Sequence, residues 1–431
     1  MRIQLVVRLY SGLESGLAER RWRPHGVPTV YHLIEALDRG DHDASFVFTR
    51  KDVETAWPHE SHVTFAVDGL RRPVTVLAAN DGLPRWCGRA RGYVRELRQA
   101  WPVWRLHRAY RPDVIYFDRV NVYQAALAAH LTRTPVVWRV MGVPPPMHEV
   151  LDARGPVASI TRRAYRAPFA KVICSRDGSG GEAWMARALA PTTPRVMMLN
   201  GADVEPNATL DATIEAALPQ DRTKVLFVAR LVENKGCMAF IDGFLRALEQ
   251  DPLGLHAVIA GDGPYRAPMR AALAERGALD RVSFLGQVPH DQVVALQQRC
   301  DIYVSLNPMG NLTNANLEAM KAGACMVIPA SRPECGIDTD TDDLAPENAV
   351  MRIASADDAE GLSRSLLALH RDPAERRRRS EAIAALARRL VPSWKERIDR
   401  EIILLEEIAA VGRRNPACAA DELQQRASLN R

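Results

Sequence analysis

The sequence predicts an α/β protein built from two Rossmann-like domains, each a doubly wound parallel sheet. Three observations lead there. Short apolar runs alternate with helix-period patterns along most of the 431 residues. The runs fall into two sets, one in each half of the chain. At this length two or three domains are expected, each large enough for its own core.

The first set is residues 3–9, 45–49, 74–79, 113–117, 134–140, 170–175 and 196–199. The second is residues 224–230, 255–261, 282–286, 301–306, 325–330 and 349–353. Near-continuous apolar runs of this kind suit parallel strands covered on both faces. The stretch after residue 364 is helical and charged. Its last segment, residues 393–408, has Ser393 as an N-cap and an apolar side of Trp394, Ile398, Ile402, Ile403, Leu405 and Ile408. The expected organisation is an N-terminal domain (1–203), a C-terminal domain (204–392), a closing helix (393–412) and a loose tail (413–431).

Composition narrows the class. Apolar residues make up 47% and charged residues 25%, as in ordinary soluble globular proteins. The seven cysteines are scattered, odd in number and without a C-x-x-C pair, which argues against a disulfide framework or a zinc site and for a reducing, cytoplasmic compartment. The apolar run at the N-terminus is too short for a bilayer span or a signal segment, and no other run is long enough to span.

Net charge is +5, unevenly placed. Residues 85–111 hold eight arginines and one acid, Glu96, with Val94, Leu97, Trp101 and Trp104 at helical spacing. A basic helix with tryptophans suits an anionic membrane surface, which would make the protein peripheral on the inner face of the cytoplasmic membrane. The alternative is an outer helix whose tryptophans reach the core, with Pro102 kinking it or starting a second helix. Nucleic acid is not an expected partner: no zinc-finger spacing or RRM signature is present.

Two stretches carry chemistry. ARLVENKG (229–236) puts Arg230 at the end of an apolar run and Lys235 just ahead of a helical pattern. Two cations beside a helix N-terminus form a clamp for a diphosphate. NLEAMKAG (316–323) sets Glu318 in the first turns of another helix, where a carboxylate can take ribose hydroxyls. Residues 11–30 read as a long basic loop with Gly12 and Gly16, ending in a helix start near Pro28. Such a loop fits an anionic acceptor, or a surface excursion with no ligand. Asp118 and Arg119 close a strand at the end where α/β proteins bind ligands. The acidic stretch 336–343 lacks the glycine and glutamate of a calcium loop, and no metal is expected.

With AGDGPY (260–265), VSFLGQVP (282–289) and DIYVSLNP (301–308), these two stretches form an ordered series. The series resembles the nucleotide-sugar half of retaining glycosyltransferases of family 4, which have the GT-B fold. The resemblance implies two Rossmann-like domains facing a cleft, a hinge at LNGADVEP (199–206), and a closing helix that crosses back to the N-terminal domain. It implies transfer of a sugar from a nucleotide-diphosphate donor to a glycan or lipid-linked acceptor, in cell-surface polysaccharide, lipopolysaccharide or glycolipid synthesis. Arg230 and Lys235 would stabilise the departing diphosphate. Gly310, Asn311, Leu312, Thr313 and Asn314 would offer donors ahead of the Glu318 helix, with Thr313 or Asn314 as its N-cap. Gly286, Gln287 and Val288 would hold the nucleobase. The leaving phosphate takes the acceptor's proton, so neither a protein nucleophile nor a cofactor is called for.

Two departures stand out. The family has a glutamate, seven residues, then a glutamate; the first position is Gly310 here. The family's histidine after an N-terminal-domain strand is Met141, with Arg139 close by in sequence. Gly12, Gly16, Asp118, Arg119, Arg139 and Met141 make the candidate acceptor set. Two alternatives stay open: a nucleotide-sugar epimerase on the same fold, and a binding protein without turnover, which the departures keep in view. An epimerase needs acid/base carboxylates and histidines that the sequence does not present.

Overall fold

A computed structural model describes residues 1–50, 62–77, 91–338 and 341–414. Outside the described residues lie the end of the 74–79 run, Arg85, Arg89, Cys87 and Cys418, residues 339–340 of the acidic stretch, and the tail from residue 415. By internal contacts the chain divides into two units. The first holds Met1–Ser175, Gly181–Met198 and the chain from Lys395; the second holds Arg176–Gly180 and Leu199–Trp394.

The first unit contains β1 (Arg2–Arg8), β2 (Asp43–Thr49), β3 (Val63–Phe65), β4 (Val74–Val76), β5 (Val114–Asp118), β6 (Val136–Val140), β7 (Lys171–Ser175) and β8 (Arg195–Met198). They form one sheet in the order β3-β4-β2-β1-β5-β6-β7-β8. Every pairing is parallel except β3 with β4. All seven expected runs became strands. β3 was not expected, because three residues are too few to show a period.

The second unit contains β9 (Thr223–Val228), β10 (Leu255–Ala260), β11 (Val282–Gly286), β12 (Ile302–Val304), β13 (Met326–Pro329) and β14 (Met351–Ile353). Their order is β11-β10-β9-β12-β13-β14, all parallel. Counted within the unit this is 3-2-1-4-5-6, the Rossmann order.

Each sheet is covered on both faces, which is why its strands read as unbroken apolar runs. In the first unit Leu5, Val7, Tyr116, Val137 and Ile173 face one layer. Val6, Ile115, Phe117, Trp138 and Val172 face the other. The helix Trp394–Arg414 returns to the first of these layers and buries Ile398, Leu405 and Ile408 there. Ile403, expected on its apolar side, is 53% exposed.

Charge is buried under this helix. Arg397 and Glu401 meet Tyr116 of β5 and Arg139 of β6, and each of the four is at most 2% exposed. The Tyr116 hydroxyl donates to Glu401 Oε1 at 2.7 Å, and Arg397 Nη1 lies 2.7 Å from Glu401 Oε2. Arg139 Nε is 3.8 Å from Glu401 Oε1, while its Nη2 donates to Ser175 Oγ at 3.0 Å. Burial pushes the Glu401 carboxyl upward, but Arg397 and Arg139 outweigh it and hold the group below its ordinary value.

Two readings of the sequence need correction. Residues 11–30 are not a long loop: Ser11–Ala18 is a helix, followed by the helix Pro28–Arg39. The chain returning between them lies against Gly12 and Gly16, where added Cβ atoms would sit 1.8 Å from His25 O and 2.8 Å from Arg21 O. Those glycines thus serve packing. Trp101 of the basic segment also does not reach the core. Residues 91–110 of that segment form one helix, Arg91–Tyr110, running through Pro102. Trp101 is 61% exposed and stacks on Trp104 with centroids 5.0 Å apart.

Replacing Glu401 by glutamine leaves two buried guanidiniums without their counter-charge. The expected loss is about 3–5 kcal/mol of folding stability, read as a lowered denaturant midpoint at unchanged slope.

Candidate functional site

The cationic pair is held by backbone laid on backbone. After β9 the main chain of residues 229–231 is gripped by the AGDGPY turn. Ala229 N–H donates to Ala260 O at 3.1 Å, Leu231 N–H to Asp262 O at 2.9 Å, and Tyr265 N–H to Leu231 O at 3.0 Å. A Cβ on Gly261 would lie 1.8 Å from Ala229 O, and one on Gly263 2.3 Å from Leu231 O. The glycines thus let the turn flank Arg230 on both sides. One 3-10 turn, Glu233–Lys235, leads through Gly236 at φ +68° into the helix Cys237–Gln250. Arg230 is exposed and Lys235 half-buried. Burial, then the nearby Arg230 charge, lowers the Lys235 ammonium below its ordinary value. A half-buried ammonium beside a guanidinium marks excess positive potential, which an anion would relieve.

Glu318 stands in the helix Asn314–Ala322, which Thr313 caps by accepting the Asn316 N–H at 3.3 Å. Its side chain is 7% exposed, and burial pushes the carboxyl up to about 8. His290 Nε2 lies 3.0 Å from Glu318 Oε1. His290 opens the helix His290–Arg299, and its ring is 61% exposed.

The segment expected to offer backbone donors is partly occupied from within the unit. Asn311 N–H donates to Asp338 Oδ1 at 2.7 Å, and Asn311 Nδ2 donates to Asp338 Oδ2 at 2.6 Å. Leu312 N–H donates to Asp177 O at 3.2 Å, and Asp338 N–H to Gly178 O at 2.8 Å. Thr341 Oγ1 adds a third donor to Asp338, at 2.6 Å. The N–H groups of Asn314 and Ala315 begin the helix, where no intrahelical acceptor exists. The Asn314 side chain accepts from Asn200 Nδ2 at 2.8 Å.

This packing accounts for glycine at position 310. Gly310 has φ +148°, and a Cβ there would lie 2.5 Å from Asp177 O and 2.6 Å from the Gly178 carbonyl carbon. The 176–180 loop fills the space a longer side chain would need. At the other rim the Gly286 carbonyl accepts the Gly261 N–H at 2.7 Å. Gln287 is exposed and Val288 half-buried.

Of the acceptor candidates, Asp118 and Arg139 are partners across β5 and β6, and both are buried. Asp118 is 2% exposed. Its Oδ2 accepts the Arg8 N–H at 2.9 Å, and its Oδ1 accepts from Asn121 N–H at 3.2 Å and Nδ2 at 2.6 Å. Burial raises its pKa. Arg139 is enclosed with Glu401, so both polar residues are internal. Arg119 Nη1 donates to Met141 O at 3.3 Å and Gly142 O at 3.1 Å, which puts Arg119 beside Met141. Sequence reasoning missed His290, the tie of Asp338 to Asn311 and a buried cluster beyond β1. In that cluster Glu96 accepts from Arg8 Nη2 at 2.5 Å and from Gln124 Nε2 at 2.6 Å. Among the described residues no group of three His, Cys, Asp or Glu is placed to hold a metal ion.

Comparison with known proteins bears on the second unit first. Residues 212–385 match the family model "Glycosyl transferases group 1". The chain is 27% identical over 265 residues to a 2-deoxystreptamine glucosyltransferase of Streptomyces kanamyceticus, covering 56% of this chain and 67% of that one. It is 30% identical over 279 residues to a 2-deoxystreptamine N-acetyl-D-glucosaminyltransferase of Streptomyces fradiae, covering 59% and 64%. It is 30% identical over 207 residues to a GDP-mannose:cellobiosyl-diphosphopolyprenol alpha-mannosyltransferase of Xanthomonas campestris, covering 48% and 52%. The chain thus spans about half to two thirds of the length of these relatives. Sucrose-phosphate synthase from Thermosynechococcus elongatus superposes with TM-score 0.69 at 17% identity, covering 94% of this chain and 99% of that one. Anabaena HepE in complex with UDP gives 0.67 at 15%, covering 94% and 100%. The fold is GT-B.

Gly310→Ala is expected to lower stability by more than about 1 kcal/mol, since the backbone angle and the Asp177 carbonyl both oppose a Cβ. Thermal unfolding of the variant checks this.

Proposed function

We propose that this chain, whose residues 212–385 form a glycosyl transferases group 1 domain, moves a sugar from a nucleotide-diphosphate donor to a glycan or lipid-linked acceptor with retention of anomeric configuration. The observation that carries the reading is the cationic pair, Arg230 and Lys235, set between the end of β9 and the start of a helix. Breaking the sugar–phosphate bond leaves more negative charge on the diphosphate. Cations already fixed in place stabilise that charge without reorganising. Glu318 takes the ribose hydroxyls, and the helix-opening N–H groups of Asn314 and Ala315 supply further donors. The departing phosphate oxygen receives the acceptor's proton. These groups answer the diphosphate's charge, so the reaction needs no metal cofactor. The two Streptomyces relatives are named for sugar transfer to 2-deoxystreptamine, and the Xanthomonas relative for transfer to a diphosphopolyprenol-linked sugar. The acceptor here is assigned to the second kind, in cell-surface glycan synthesis.

A binding-only reading has one observation in its favour: Asp338 and the 176–180 loop occupy the amides of Asn311 and Leu312. Turnover separates the two. A thermal-shift screen of nucleoside diphosphates and their sugars identifies the donor, since a ligand at about 100 times its Kd stabilises by about 2.7 kcal/mol. With that donor saturating, Arg230→Ala and Lys235→Ala are each expected to lower kcat by roughly 100-fold. Near-normal turnover in either folded variant would remove that residue from the mechanism.

The lipid-linked acceptor places the first unit at an anionic membrane surface. The helix Arg91–Tyr110 suits this, with Trp101 outward and Arg108 over the Trp104 ring at 5.0 Å. Sedimentation with vesicles of rising anionic lipid content is expected to carry the protein down at low salt and release it at high salt. A protein that stays in the supernatant at every composition would assign the acceptor to solution.

A further inference from the structure

The buried carboxylate of the donor site has an unusual companion. Glu318 and His290 are 28 residues apart, on two helices, and meet at 3.0 Å from Nε2 to Oε1. The carboxylate is 7% exposed and the imidazole 61% exposed. Tyr303 of β12 also faces Glu318, but its hydroxyl donates to Asn316 Oδ1 at 3.0 Å and so is engaged elsewhere. Burial is what raises the Glu318 carboxyl. An acid kept this dry, with one imidazole for a partner, is costly unless a ligand repays it by donating hydrogen bonds.

We infer that His290 is a positioning residue of the donor site: it holds one oxygen of Glu318 so that the other meets the vicinal hydroxyls of the nucleotide's ribose. This rests on the donor-site reading above. The physical reasons are two. A carboxylate free to turn about its last torsion must be fixed when the diol arrives, and His290 fixes it beforehand, so less freedom is lost on binding. A diol donates hydrogen bonds, which an ionised acid accepts best. Burial pushes Glu318 up to about 8, so at neutral pH the acid needs a donor to favour its ionised form. The imidazole N–H is placed to be that donor. His290 itself stands at the rim, reached from solvent, and does not act on the bond that breaks.

Calorimetry with the nucleoside diphosphate found in the thermal-shift screen, and with its 2′,3′-dideoxy form, tests this on the full chain. His290→Ala is expected to weaken the ribonucleotide by roughly tenfold, the scale of one charge-assisted hydrogen bond, and to leave the dideoxy form unchanged. His290→Gln, which puts an amide N–H near the place of Nε2, is expected to restore most of the loss. In an Glu318→Gln background the alanine change is expected to add nothing. Equal loss for both nucleotides, no loss for either, or full additivity with Glu318→Gln would each overturn the assignment while leaving the donor site standing. Failure of the unaltered protein to bind any nucleoside diphosphate would instead overturn the donor-site reading, and this assignment with it.

Discussion

Main chain pressed on main chain, with no Cβ between, is the constraint on which the second unit's loops depend. Gly261 and Gly263 lie against the carbonyls of Ala229 and Leu231, and Gly310 lies against Asp177. At each place the allowed side chain is hydrogen, because any carbon would come within 2.5 Å of a carbonyl oxygen. The gain is rigidity. Arg230 sits on a stretch bonded at residues before and after it, and the Glu318 helix starts from a loop tied down by Asp338 and Asp177. In the proposed donor site such backing would matter, since a loose side chain loses freedom at every binding event.

The same contact accounts for the absence at position 310 of the carboxylate that the resemblance implies. Gly310 is not a loss at an otherwise unchanged site. The loop 176–180 has taken the space, Asp338 has taken the Asn311 amide and side chain, and Thr341 completes the arrangement. Asp338 adopts φ +55°, an uncommon angle for a residue with a side chain, and its three hydrogen bonds hold it there. A carboxylate is therefore present near position 310, supplied by a different segment and turned inward.

How much of this was legible follows from what each feature looks like along the chain. Strands covered on both faces show themselves as apolar runs, so the thirteen expected runs became strands, while the three-residue β3 left no trace. The helix Ser11–Ala18 was hidden by Gly12 and Gly16, which read as loop residues but allow the returning chain to touch a helix. The placement of Arg230 and Lys235 was legible because it is local: a strand end, five residues, a helix start. His290 with Glu318, and Asp338 with Asn311, are pairs 28 and 27 residues apart, joined by the sheet's crossovers, and no spacing rule announces them. The burial of Asp118 and Arg139 was hidden for the opposite reason. Polar residues at the carboxyl ends of parallel strands are where ligands bind, but their burial depends on Arg8, Asn121 and Glu401, which come from distant parts of the chain.

The return of the last helix has a consequence for the order of events during synthesis. Ile398, Leu405 and Ile408 belong to the core of the first unit, and Glu401 is the counter-charge of Arg139 within it. The unit whose sequence leaves the ribosome first is therefore completed last. The second unit, apart from residues 176–180, is continuous from Leu199 to Trp394 and can close while the first still lacks a layer. Until the final helix arrives, the nascent first unit exposes one apolar face and an unmatched guanidinium, the kind of surface that chaperones hold.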